Sequence, residues 1–149
     1  MYDGENFPIN LSYDFDVIIC QESVCHVKNK QNIFTQLYKH LKINGIIYIQ
    51  DWFVTDSKYI NIKNINLSNY YFKTYIESMN MYLRYFDKFR TLLLQYLDVR
   101  SLPKNNLYKM FMIGEIYENL SDIDKGGQYL SRAFYDGTFT IGILVLQKK

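Results

Sequence analysis

FDVIICQESVCHV, Phe15 to Val27, and LKINGIIYIQDW, Leu41 to Trp52, are the two stretches that decide the fold. In the first, Val17, Ile18 and Ile19 form a continuous apolar run that ends in a polar turn, the pattern of a strand covered on both faces in a parallel sheet. From Lys30 to Leu41 the residues Ile33, Phe34, Leu37 and Leu41 recur at three-to-four spacing and mark one face of a helix. Asn44-Gly45 ends that helix, with Gly45 free to take a positive φ, and Ile46 to Gln50 resumes as a second strand ending at Asp51. The connection is long enough for a right-handed parallel crossover. The two stretches make one βαβ unit.

Outward from this unit, Met1 to Tyr13 is polar and turn-rich, with Asp3, Gly4 and Pro8. After Asp51, Ile60, Ile62, Ile65 and Leu67 alternate with Asn and Lys, which predicts a half-exposed strand over Tyr59 to Leu67. Ser68 or Asn69 then caps a long helix with the apolar face Phe72, Tyr75, Ile76, Met79, Leu83, Phe86, Phe89 and Leu93, reaching about Tyr96. Beyond Pro103 the pattern predicts a helix over Asn106 to Leu120 and another over Gln128 to Tyr135 after Gly126-Gly127. Asp136-Gly137 is a turn, and Thr138 to Leu146 is a terminal strand. The expected fold class is a single α/β domain.

Composition narrows the function classes. A chain of 149 residues with 48% hydrophobic content can bury one real core, and Tyr 15 and Phe 10 against a lone Ala133 fill it with rings. A net charge of +2, without a basic run, gives no electrostatic footprint for nucleic acid. No apolar run approaches the roughly eighteen residues of a membrane span. Cys20 and Cys25 share a neighbourhood with His26, but His40 is the only other histidine and no second pair completes a tetrahedral metal site. Reduced thiols in a soluble, cytoplasmic protein are the expectation.

These residues also carry a family resemblance. YDGENFPI, Tyr2 to Ile9, resembles the GDAxxLPF segment of class I S-adenosylmethionine-dependent methyltransferases. FDVIICQESVCHV resembles their FDVVxSQDxxxHV, and LKINGIIYIQDW their LKPGGxLxxTDW. NINLSNYY, Asn64 to Tyr71, and FYDGTFTIGILVLQKK resemble the strand and helix start that follow and the closing strand. The resemblance is to the carboxyl-side part of the family, nearest to phosphoethanolamine and sarcosine/dimethylglycine methyltransferases. It implies an incomplete Rossmann-like fold, a mixed sheet with a parallel βαβ unit and an antiparallel terminal strand.

Two departures accompany it. The seven glycines are Gly4, Gly45, Gly114, Gly126, Gly127, Gly137 and Gly142, so the GxGxG loop of the family's cofactor site is not in this sequence. The helix that usually lies between the fifth and sixth strands is also expected to be missing, with room only for a loop after Trp52. The strand Asp16 to Cys20 would then present an apolar edge, which either recruits a protein partner or is covered by the amino-terminal segment.

The resemblance implies S-adenosylmethionine as cofactor and a small-molecule acceptor of amine or phosphobase type. Asp3 would accept from the adenine amino group and Gly4 would let the backbone approach the ring. Cys20 and Gln21 would flank the methionine moiety, where ligands sit in open α/β sheets. Glu22, Asp51 and Trp52 would face the acceptor, a carboxylate and an aromatic face suiting a cation. His26 would orient the acceptor or remove its proton. Each has a structural counterpart: Asp3 as a turn residue, His26 as a helix-flanking histidine, Asp51 as a cap, Trp52 as core. Methyl transfer with a cofactor half from elsewhere and a non-catalytic scaffolding module both stay open, while another nucleotide-binding α/β protein would need a phosphate loop that is not here.

Overall fold

The computed structural model describes residues 14–55, 61–97 and 122–149. Its elements are β1 (Phe15–Gln21), a 3-10 turn (Val24–His26), α1 (Lys30–Lys39), β2 (Leu41–Val54), α2 (Ile62–Phe72), α3 (Met79–Tyr85), β3 (Phe89–Leu97), α4 (Asp122–Tyr135) and β4 (Phe139–Lys148). They build a mixed sheet of order β1-β2-β4-β3, in which β1 and β2 are parallel and β4 runs antiparallel to both β2 and β3. The βαβ unit and the antiparallel terminal strand both stand as expected.

Asn29 starts α1 by accepting the Asn32 N–H at 3.1 Å, and Ile33, Phe34 and Leu37 are its buried stripe. The helix stops at Lys39, before Leu41, and β2 is longer than Ile46 to Gln50. The left-handed residue in this passage is Asn44, with φ 63, and not Gly45. Glycine is required at 45 for space: a Cβ there would lie 2.8 Å from Leu41 Cγ and from the Lys42 carbonyl.

One sheet face carries the larger core. Ile47, Ile49 and Phe53 of β2 and Leu144 and Leu146 of β4 pack against Ile33, Phe34 and Leu37 of α1 and Met79 and Tyr82 of α3. Ring contacts tie these layers together, Phe34 to Phe86 at 4.1 Å and Phe53 to Tyr82 at 4.7 Å. A second cluster forms around Leu130, Ala133 and Phe134 of α4 with Val54, Phe139 and Ile141. Only one face of β1 is covered among the described residues: Ile18 and Cys20 pack on the core, while Val17 and Ile19 are 53% and 69% exposed. With β1 terminal in that sheet, the edge expected at Asp16 to Cys20 is present among the described residues.

The segment after β2 differs from expectation. The strand predicted over Tyr59 to Leu67 is helical from Ile62; residues 56–60 lie outside the described set. Asn61 caps α2 by accepting the Asn64 N–H, and the residues it buries are Asn64 and Ser68, one helical turn apart. An apolar alternation count misses a helix whose buried stripe is polar. Nor is there one long helix to Tyr96: Lys73 takes a left-handed φ of 53, Ser78 starts the short α3, and Phe89–Leu97 is strand. Three-to-four spacing there was overridden by backbone pairing to β4. The loop expected between the second and third strands therefore holds α2 and α3. The last helix begins at Asp122 and runs through Gly126-Gly127, where a Cβ on Gly126 would sit 2.6 Å from Tyr71 Cβ. The helix predicted over 106–120 lies outside the described residues.

Candidate active site

The carboxyl ends of the parallel strands β1 and β2 gather most of the candidate residues. At the end of β1, Glu22 turns the chain off the sheet with a left-handed φ of 45 while its N–H still donates to the Gln50 carbonyl at 2.8 Å. The turn that follows buries Val24 and Cys25 and leaves His26 exposed. Val24 and Cys25 before it and the buried Val27 after it thus leave the imidazole facing outward.

Four hydrogen bonds fix this turn and the carboxylate that holds it. Asp51, fully buried in β2 directly after Gln50, the last residue paired with β1, accepts the Cys25 N–H at 3.0 Å through Oδ2. Its Oδ1 accepts the Trp52 N–H at 2.8 Å. The Cys25 carbonyl accepts the Tyr75 N–H at 2.6 Å, and the Val27 carbonyl accepts from Lys30 Nζ at 2.8 Å. Asp51 was expected to face the acceptor; here both its oxygens are occupied by backbone donors.

Trp52 is half-buried, its ring 6.5 Å from His26 at an interplanar angle of 59° and edge-on to Phe134 at 6.1 Å. Its indole Nε1 is buried without an acceptor among the described residues. Gln21 and Glu22 are exposed beside it on the β1 end. Cys20 points the other way, packing on the core. Burial, with the Asp51 charge second, pushes its thiol up to about 12, and the Cys25 thiol is raised in the same order of causes. Both stay protonated and serve packing. Asp3 and Gly4 lie outside the described residues.

Sequence reasoning missed Lys30, Tyr75 and Phe134 as builders of this region. Lys30 carries no local signal, since a lysine opening a helix ordinarily faces solvent, and Tyr75 reaches the turn only through tertiary folding. A separate cavity of about 510 Å³ lies between α2 and α4, lined by Lys63, Asn64, Tyr129, Arg132, Tyr135 and Asp136. It shares no lining residue with the His26–Trp52 pair. Among the described residues no cluster of three or more His, Cys, Asp and Glu could hold a metal ion, and no helix is long and apolar enough to cross a membrane.

The family model described as "Methyltransferase domain" matches residues 3–105, more than half of the chain. The chain belongs to the class I S-adenosylmethionine-dependent methyltransferase family. Comparison with curated proteins gave no match. Among solved structures, this methyltransferase chain is similar to a candidate sarcosine dimethylglycine methyltransferase from Galdieria sulphuraria, at 18% identity and TM-score 0.74, over 98% of this chain and 57% of that one. It is similar to the geranyl diphosphate C-methyltransferase of Streptomyces coelicolor A3(2), solved with Mg2+, geranyl diphosphate and S-adenosylhomocysteine, at 17% identity and TM-score 0.69, over 95% and 51%. A third is phosphoethanolamine N-methyltransferase 2 of Haemonchus contortus, solved with phosphomonomethylethanolamine and S-adenosylhomocysteine, at 13% identity and TM-score 0.61, over 90% and 33%. At these identities the likeness shows the fold. The chain spans at most about three fifths of the length of these structures. S-adenosylmethionine is the cofactor of the family.

Proposed function

We propose that this chain supplies the acceptor-facing side of an S-adenosylmethionine-dependent methyl-transfer site for a small amine or phosphobase. The observation that carries the reading is the approach of His26, on a turn clamped by Asp51, to Trp52 of β2, just past the point where the parallel β1–β2 pairing ends. Ligands of open α/β sheets bind at that end.

The residues present fit one side of the cofactor. Gln21, Glu22 and the Trp52 Nε1 donor are polar groups at the strand ends, and Asp3 and Gly4 are proposed for the adenine. The glycine-rich side of the cradle has no counterpart in this sequence, so it is assigned to another polypeptide segment that adds a strand along the edge of β1 left unpaired among the described residues, over Asp16 to Cys20. When bound, the cofactor supplies an electrophilic methyl group on a sulfonium. The Trp52 face and the Glu22 carboxylate hold a cationic acceptor. The exposed His26 imidazole takes the proton that the acceptor nitrogen gives up, freeing the nitrogen lone pair that methyl transfer would require. Asp51 positions the turn that presents His26, and Cys20 supports it from the core side.

The test is transfer of labelled methyl from S-adenosylmethionine to a panel of amines and phosphobases, by the chain alone and with co-purifying protein. Transfer that falls about a hundredfold or more in H26A and W52A supports the reading. No transfer in either preparation overturns it in favour of a non-catalytic methyltransferase-like module, which the missing glycine loop favours.

A further inference from the structure

Lys30 is the first residue of α1, where a cation opposes the helix dipole and is normally solvated. Its side chain is instead 1% exposed. A buried ammonium is costly unless its protons are taken up, and here two carbonyls take them, that of Val27 at 2.8 Å and that of Tyr75 at 2.5 Å. The ammonium lies 5.8 Å from the centre of the Tyr82 ring. Glu77 from the α2–α3 connection, Asp51 from β2 and Cys25 from the turn contribute to its electrostatic environment, and desolvation draws its pKa below the ordinary lysine value.

The two carbonyls belong to different segments. Val27 directly follows His26, and Tyr75 lies between α2 and α3. Tyr75 also donates its N–H to the Cys25 carbonyl, the residue directly before His26. The path Cys25–Tyr75–Lys30–Val27 is therefore a chain of three hydrogen bonds that the backbone through His26 closes into a ring. An apolar side chain of similar length would fill the same volume at lower desolvation cost and would leave both carbonyls unpaired.

We infer that Lys30 is a positioning residue: its ammonium ties the carbonyls of Val27 and Tyr75 together and so holds the His26 turn in register with Trp52. The role rests on the proposed function, while the latch itself is a property of the fold and can be read without any methyl transfer.

Hydrogen exchange on the full chain tests it, with K30M and K30R compared to the unmodified protein. In K30M the Tyr75 and Cys25 amides are expected to exchange about tenfold faster or more, as the loss of charge-assisted hydrogen bonds implies. The His26 ring and Trp52 indole signals shift at the same time, while the amides of Ile47, Ile49 and Leu144 keep their protection. K30R, which keeps a cation with several donors, restores part of the Tyr75 protection. Exchange at Cys25 and Tyr75 within twofold of the unmodified protein, with the ring signals in place, overturns the latch. Should K30M fail to fold, native-state exchange of the unmodified chain decides: one shared opening for Cys25 and Tyr75 supports the latch, and two separate openings contradict it. Where methyl transfer is measurable, kcat falls in K30M with KM for S-adenosylmethionine unchanged. A chain that transfers no methyl but keeps the exchange pattern separates failure of the functional reading from failure of the latch.

Discussion

Asp51 Oδ2 accepts the backbone N–H of Cys25 at 3.0 Å, and this one bond joins β2 to the turn that carries His26. Both groups are buried, so removing the carboxylate strands a donor as well as losing a bond. D51A is expected to lower stability by about 1.5–3 kcal/mol in urea denaturation, and to raise exchange at the Cys25 amide. An unchanged urea midpoint would show that the bond contributes nothing to the fold.

Alkaline pH should weaken the protein through its thiols. The folded state holds the Cys20 proton up to about 12, against 9.0 for the unreacted thiol of the unfolded chain. Between those values the unfolded state loses a proton that the folded state keeps, so stability is full below pH 9 and declines above it, by at most about 1.4 kcal/mol per pH unit for one such group. Cys25 and Tyr82 act in the same direction, and Lys30, with its lowered pKa, acts in the opposite one below 10.5. C20A should flatten the decline of the urea midpoint between pH 9 and 10.5; a slope identical to that of the unmodified chain would contradict the assignment.

Gly142 lies where β4 passes under two core side chains. A Cβ there would sit 2.6 Å from Met79 Cε and 2.7 Å from Phe53 Cδ2. The methionine end can swing away, but the Phe53 ring is fixed by its edge contact with Tyr82 at 4.7 Å. G142A is expected to cost about 1–3 kcal/mol by thermal or urea unfolding.

Glu22 holds a left-handed φ of 45 without being glycine, and its side chain is exposed. Such strain concentrates at functional positions. E22G should therefore stabilise the fold by about 0.5–1 kcal/mol while lowering methyl transfer. A variant that gains stability and loses no transfer would remove Glu22 from the acceptor site.

The sequence was most readable where local pattern and tertiary context agree. The run Val17–Ile19, the stripe Ile33, Phe34 and Leu37, and the resumption at Ile46 to Gln50 each announce their element, although Val17 and Ile19 are exposed where the run predicts cover on both faces. Phe89 and Leu93 could not be read this way, because their spacing suits a helix face as well as a strand and only pairing with Lys148 and Val145 decides. The α2 helix hid behind a polar stripe, Asn64 and Ser68, that packs instead of facing water. At the site, Asp51 was expected to end its strand, whereas β2 runs on to Val54, and its occupation by backbone donors was not visible. The burial of Lys30 depends on the Val27 carbonyl three residues before it and on the Tyr75 carbonyl far along the chain, and the second leaves no trace in its neighbours.

Trp52 is the only tryptophan, so its indole N–H gives a single signal at the centre of the candidate site. The most direct measurement is a titration of the folded chain with S-adenosylmethionine followed by that signal and by the His26 ring and Gln21 side-chain amide. Saturable shifts of these groups, with the signals of the α2–α4 cavity unmoved, are the expected result, and they need not be tight if the glycine-rich side comes from another segment. No saturable change at Trp52, His26 or Gln21 in a folded chain, with or without co-purifying protein, would contradict the account.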